Sequence, residues 1–78
     1  MTPAQCRAGR ALVKMSLNEL AGAAVAPAIT AWDYEAEQGL TRPADIDAMQ
    51  TVLENAGVEY VGARREAAEG AEVGAELT

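Results

Sequence analysis

The chain of 78 residues contains no histidine, no phenylalanine and a single cysteine, Cys6. Without histidine, neither a Ser-His-Asp triad nor histidine acid–base catalysis is available. One cysteine cannot form an internal disulfide, and without histidine it leaves no ligand set for a structural zinc ion. We therefore predict no metal, no cofactor and no enzymatic activity, and we expect Cys6 to be a small core residue.

Aromatic residues are scarce, while alanine is abundant. Trp32, Tyr34 and Tyr60 are the only aromatic residues, and 18 residues of the chain are alanine. A thin, alanine-rich core favours closely packed helices over a sheet. At this length, folding buries only about 60% of the unfolded surface, so a second copy of the chain is an expected source of stability.

No segment of the sequence indicates targeting or membrane insertion. The first residues lack a basic region followed by an apolar run. The longest uncharged stretch, 20–32, contains Pro27 and is too short to span a bilayer. We therefore expect a cytoplasmic protein without a membrane partner.

The net charge of −6 is unevenly distributed. Residues 1–32 carry three basic side chains and one acidic one, whereas residues 33–61 carry seven acidic side chains and one basic one. Arg7, Arg10 and Lys14 recur at i, i+3 and i+7, so they share one stripe of a helix. Such a stripe is either a solvated face, its more common use, or a phosphate-contacting one. The acidity of the whole chain argues against nucleic acid as a partner.

Capping residues and apolar periodicity divide the chain into four helices. Thr2 with Gln5, and Ser16 with Glu19, have the spacing of a capping box. Gly57 is placed to end the last helix, where the apolar residues recur with helical spacing. The predicted helices are about 3–14, 17–24, 27–37 and 44–56.

The segment 58–61 alternates apolar and polar residues, which predicts a short strand. An isolated strand is not stable alone, and its own copy in a second chain is the simplest partner. We therefore predict a homodimer contact through Val58, Tyr60 and Val61.

The last residues, 62–78, are rich in glycine, alanine and glutamate. This composition predicts an acidic tail that is largely mobile. Val73 and Leu77 leave open a second short strand near the end of the chain.

Two short capped helices separated by a tight turn are typical of a helix-turn-helix module. The residues of this segment resemble the helix-turn-helix of the Cro/lambda-repressor-like family, also called the xenobiotic-response-element (XRE) family. The matching residues are the run 16–21 (SLNELA), Ala24, Thr30 and the pair Tyr34 and Glu35. The segments 1–8 and 42–61 resemble the two ends of short bacterial members, so the resemblance runs without gaps over 1–61. It implies a compact all-α domain of four or five helices with a short C-terminal strand.

The resemblance also implies DNA binding and transcription regulation, by a homodimer on paired half-sites of double-stranded DNA. The helix over 27–37 would lie in the major groove, and the helix before it would cross the backbone. The residues that the resemblance places at the DNA are Ser16, Leu17, Asn18, Pro27, Ala28, Ile29, Thr30, Trp32 and Arg42. Arg10 and Lys14 would lie near the phosphates.

Several of these positions depart from the residues that are usual in the family. Leu17 stands where a phosphate-binding glutamine is common, and Pro27 stands where a capping serine is common. Val25 and Glu37 stand where glycine is common, and valine is poorly suited to a positive φ. The positions that usually read bases with polar side chains are Ala28, Ile29 and Trp32. These side chains offer base edges no strong hydrogen bonds, so the sequence predicts weak binding.

The positions of Ile29 and Trp32 separate two interpretations. In the gapless register, Ala31 and Tyr34 face the core, and Ile29 and Trp32 form an exposed apolar patch beside Leu17. Such patches mark protein interfaces. A rotated helix would instead bury Ile29 and Trp32, which the general preference of large apolar side chains for the core favours.

The exposed arrangement supports an alternative function on the same fold. In this hypothesis the domain is a protein-interaction module. Its apolar face of Leu17, Ile29 and Trp32 would bind a regulator or a component of the transcription machinery instead of DNA.

Overall fold

The computed structural model describes residues 1–60 and 74–77. In this part of the chain, four helices are followed by two short strands. The elements are α1 (Pro3–Val13), α2 (Leu17–Ala23), α3 (Ala28–Glu35), α4 (Pro43–Asn55), β1 (Val58–Tyr60) and β2 (Ala75–Leu77). The prediction of a mostly helical fold with four helices is confirmed, and the helix ends lie within two residues of the predicted ones.

Both predicted capping boxes are present. The Thr2 hydroxyl accepts a hydrogen bond from the Gln5 backbone N–H at 3.1 Å, and the Gln5 side chain accepts one from the Thr2 N–H at 2.7 Å. Ser16 and Glu19 make the same reciprocal pair at 3.0 and 2.8 Å. These bonds satisfy N–H groups of the first helical turn that have no partner within the helix. The starts of α1 and α2 are therefore set by local sequence.

The core lies between the four helices and β1. Cys6 is fully buried, as predicted for a small core residue. Tyr34 is also buried, and its hydroxyl donates a hydrogen bond to the Met1 carbonyl at 2.6 Å. Small residues among the buried set allow the helices to approach closely. The buried apolar residues are Cys6, Leu20, Ala21, Ala31, Tyr34, Met49, Leu53 and Val58.

Gly9 allows α1 to approach the sheet closely, and this contact was not indicated by the sequence. A Cβ atom at this position would lie 2.6 Å from the Tyr60 hydroxyl and 3.3 Å from Leu53 Cδ1. Glycine in a helix interior costs about 1 kcal/mol relative to alanine. Here it makes room for Tyr60, whose hydroxyl donates a hydrogen bond to the Gln5 carbonyl at 3.3 Å.

The strand predicted after α4 is present as β1, and it has a partner within the chain. β1 pairs antiparallel with β2, with Val58 opposite Leu77. The dimer contact predicted through Val58, Tyr60 and Val61 stays a prediction. Val61, the third residue of that contact, lies outside the described residues, as do residues 62–73 of the predicted tail. The second strand that the sequence left open is present at Ala75–Leu77.

The register of the sheet places Glu59 directly opposite Glu76. Like charges at directly opposed positions destabilise a strand pair, whereas opposite charges stabilise it. We expect Glu76→Lys to raise the free energy of unfolding by about 0.5 kcal/mol, measured by urea denaturation. Glu76→Gln removes only the repulsion and should give a smaller gain. A loss of stability in Glu76→Lys would contradict the observed register.

Candidate nucleic-acid interface

A four-residue turn, 24–27, joins α2 to α3. Within it, Val25 has a φ of 55° and is 90% exposed. The Val25 N–H donates to the Gly22 carbonyl at 3.1 Å, and the Ala26 N–H donates to the Ala21 carbonyl at 2.9 Å. This left-handed closure is the usual way in which a glycine ends a helix. The turn therefore requires the positive φ for which valine is poorly suited.

The strain at Val25 leads to a direct prediction. The left-handed conformation destabilises the folded state by roughly 1–2 kcal/mol when the residue is β-branched. Glycine removes this steric cost, but it also increases the conformational entropy of the unfolded chain, which offsets part of the gain. We expect Val25→Gly to raise the free energy of unfolding by about 0.5–1 kcal/mol, measured by thermal or urea denaturation. Val25→Ala retains a Cβ atom and should gain less. A destabilised Val25→Gly variant would show that the turn tolerates valine without strain.

The rotation of α3 leaves its large apolar side chains in solvent. Ile29 is 63% exposed and Trp32 is 56% exposed, whereas Ala31, Tyr34 and Glu35 are buried. The alternative in which a rotated helix buries Ile29 and Trp32 is therefore wrong. Hydrogen bonds of the opposite face fix the rotation, because the Tyr34 hydroxyl and the Glu35 carboxylate both have partners on the interior side. Turning Ile29 inward would remove those partners.

Glu35 fastens α3 to α1 through a buried network. Its carboxylate accepts hydrogen bonds from Arg10 Nε at 2.6 Å and from Arg10 Nη2 at 2.8 Å. The Cys6 thiol donates to the same carboxylate at 3.0 Å. The Arg7 guanidinium donates to the Glu35 backbone carbonyl. Burial and the neighbouring carboxylate raise the pKa of the Cys6 thiol, which therefore stays protonated as a donor.

An open groove of about 450 Å³ lies between the start of α2 and the outer face of α3. Leu17 and Trp32 contribute its large apolar side chains, and the paired Arg10 and Glu35 also line it. The remaining lining residues are Ser16 and Ala36. Because Arg10 and Glu35 form an ion pair, their charges neutralise each other, and the groove presents a mainly apolar surface.

The residues of the predicted basic stripe differ in their environments: Arg10 is paired with Glu35, whereas Lys14 is exposed to solvent. The Arg10 guanidinium is bound to Glu35 and also donates to the Met15 carbonyl at 3.0 Å. Hydrogen bonding to Glu35 raises the pKa of Arg10. Lys14 is exposed, and within residues 1–60 and 74–77 its ammonium has no hydrogen bond or ion pair. Arg42 is also exposed, where it pairs with Asp45 at 3.1 Å.

The other residues predicted at the interface lie at the start of α2 and at the start of α3. Ser16 uses its hydroxyl in the capping box, and Asn18 is exposed. Pro27 and Ala28 are exposed at the start of α3, where Pro27 provides no side-chain cap. Thr30 is half-buried. The sequence left the binding partner of Arg10 undetermined, because the contact with Glu35 joins residues 25 positions apart.

Within the described part of the chain, no group of three or more His, Cys, Asp or Glu side chains is placed to hold a metal ion. None of the described helices is long and apolar enough to cross a membrane. No family model matches the sequence, and no curated protein matches it significantly.

Proposed function

We propose that this protein is a DNA-binding transcriptional regulator with a lambda-repressor-like helix-turn-helix, in which α3 enters the major groove. The observation that carries the proposal is the placement of α3. Its outer face at Ala28, Ile29 and Trp32 is exposed, and the start of α2 lies beside it across the groove at Leu17. Recognition by a helix requires such an uncovered face, since an α-helix fills the width of the major groove.

In the proposed complex, the start of α2 at Ser16, Leu17 and Asn18 approaches the DNA backbone, while Ala28 and Ile29 approach base edges. Glu35 and Arg10 hold α3 at a fixed angle to α1. One helix of eight residues reads few base pairs, so we propose that two copies bind paired half-sites. The dimer is proposed on this half-site geometry, and β1, which pairs with β2 within the chain, is not required for it.

Among the residues that the structure describes, few cations are available for phosphate contacts. Lys14 is exposed and unpaired among the described residues, and the exposed pair of Arg42 with Asp45 is weak enough to be exchanged for a phosphate. With about two phosphate contacts per protomer, log affinity should fall with log salt at a slope of about −2 per protomer. Binding therefore rests more on α3 than on the charge of the surface.

A salt titration of duplex binding tests the proposal. We expect the full chain to bind a fluorescent duplex at low salt, and we expect Lys14→Ala and Arg42→Ala each to reduce the slope by about 1. Thr30→Ala should weaken binding without changing the slope. Thr51→Glu, on the exposed side of α4, changes the net charge by the same amount as Lys14→Ala and should keep the wild-type slope. Absence of binding to any duplex at low salt would refute the proposal.

The groove favours a second candidate function, a protein-interaction module. A half-exposed tryptophan beside Leu17 in an open apolar groove is typical of a protein docking site. In this alternative, Leu17, Ile29 and Trp32 bind a protein of the transcription apparatus. The two candidates differ in the titration, because a protein-docking domain would not bind duplex DNA at low salt.

A further inference from the structure

A second groove lies beside the C-terminal end of α3, where the loop 36–42 runs toward α4. It is open and has a volume of about 270 Å³. The apolar residues Pro3, Leu40 and Ile46 line it, together with the acidic residues Asp33 and Glu37. We term it the acidic groove. It shares no lining residue with the groove between α2 and α3 described above, so it is a separate surface.

The two carboxylates of the acidic groove are not neutralised by the described part of the protein. Neither Asp33 nor Glu37 has a hydrogen bond or an ion pair to its side chain within the ranges 1–60 and 74–77. Arg42, which follows in the same loop, is paired with Asp45 instead. The last turn of α3 contains no basic residue, although the C-terminal end of a helix favours cations. The acidic groove therefore offers a cation two carboxylates and a helix C-terminus.

Leu40 adds an apolar contact to the same groove. Its side chain is fully exposed to solvent, and covering it would remove apolar surface from water. The loop that carries it passes close to the carboxylate of Asp33, because a Cβ atom at Gly39 would lie 3.9 Å from Asp33 Oδ2. One partner can therefore meet an acidic and an apolar group at neighbouring positions.

We propose that the acidic groove binds a segment of another protein in which an arginine or lysine stands beside an apolar side chain. The cation approaches Asp33 and Glu37, and the apolar side chain covers Leu40. Charge complementarity selects this occupant, because residues 33–61 carry seven acidic side chains and one basic one. A second copy of the chain, with its net charge of −6, is less complementary. The inference goes beyond the proposed function and does not depend on DNA binding.

Three short fluorescent peptides test the proposal with the full chain. The first pairs arginine with leucine, the second has serine in place of leucine, and the third has glutamate in place of arginine. In fluorescence anisotropy at low salt, we expect the arginine–leucine peptide to bind, the serine peptide to bind about tenfold more weakly, and the glutamate peptide not to bind. Equal affinity for the two arginine peptides would indicate diffuse charge attraction and overturn the inference. Absence of binding to the arginine–leucine peptide would also overturn it.

Matched variants assign the binding to the acidic groove. The double variant Asp33→Asn, Glu37→Gln should lower the affinity for the arginine–leucine peptide by about fivefold. The control Glu59→Gln, Glu76→Gln removes the same charge from the sheet and should keep the wild-type affinity. An equal loss in both double variants would mean that the peptide responds only to net charge, which would contradict the inference.

Leu40→Ser should lower the affinity for the same peptide by about tenfold. Leu77→Ser, at an exposed leucine on β2, is its control and should have no effect. Sedimentation equilibrium of the same variants tests a second copy as the occupant. If the wild-type chain is a dimer and Leu40→Ser is a monomer, the groove holds a second copy and the inference is wrong. A wild-type monomer, or a dimer that Leu40→Ser leaves intact, supports the inference, because the groove is then open to the peptide.

Discussion

Replacement of Glu35 by alanine should lower the free energy of unfolding by about 3 kcal/mol. The carboxylate is 6% exposed and accepts two hydrogen bonds from Arg10 and one from the Cys6 thiol. Removing it leaves a half-buried guanidinium and a buried thiol without this acceptor, which is the costly way to disrupt such a pair. We place the effect at the low end of the range because the Arg10 side chain is 21% exposed.

Thermal denaturation measures this effect. For a domain of this size, 3 kcal/mol corresponds to a decrease in Tm of about 12 °C or more. Asp47→Ala removes an exposed carboxylate from α4 and should change stability by less than about 0.5 kcal/mol. A double-mutant cycle that combines Glu35→Ala with Arg10→Ala should give an interaction free energy well above that of an exposed ion pair. A Glu35→Ala variant as stable as Asp47→Ala would mean that the network does not hold α3 in place.

Replacement of Ile29 and Trp32 together by alanine should abolish most binding while leaving the fold intact. Both side chains are more than half exposed, so their removal should change the free energy of unfolding by less than about 1 kcal/mol. The same side chains form most of the apolar surface that α3 offers to a partner, and large apolar anchors dominate binding energy. We expect the affinity for duplex DNA to fall by at least about tenfold.

Urea denaturation gives the free energy of unfolding of the double variant. Fluorescence anisotropy of labelled DNA gives its affinity for the duplex. Leu77→Ala serves as the control for loss of exposed apolar area on another element. If the double variant unfolds at a much lower urea concentration than the wild-type chain, Ile29 and Trp32 stabilise the fold, which their solvent exposure does not indicate. Unchanged DNA affinity in a folded double variant would exclude α3 as the reading helix.

The helix bounds were predictable because their signals are local. The capping boxes of Thr2 and Ser16 join residues three positions apart, and Gly57, with a φ of 109°, lies just beyond α4 as predicted. Interactions of this kind depend on a few neighbouring residues, so the sequence alone contains them. The backbone at Val25 illustrates a different case. The turn adopts the glycine-like conformation although the residue disfavours it, because the packing of α2 against α3 outweighs local preference.

The rotation of α3 could not be settled from the sequence. Apolar residues occur on both sides of the helix, so periodicity allowed either Ile29 and Trp32 or Ala31 and Tyr34 to face the core. The decisive contact is the one between Arg10 and Glu35, which depends on the packing of α1 against α3. The pairing of β1 with β2 was hard to predict for a similar reason. β2 begins after 14 intervening residues, and its residues have only a weak apolar pattern.

An NMR titration tests the proposed role of α3 most directly. The full chain, labelled with ¹⁵N, is titrated at low salt with an unlabelled mixed-sequence duplex. We predict that the amide signals of residues 16–18 and 28–33 shift with increasing DNA, while those of β1 stay in place. The same duplex should leave the signals of the Ile29→Ala, Trp32→Ala double variant nearly unchanged. Shifts confined to other elements, or no shifts at all, would contradict the proposal that α3 is the surface that binds DNA.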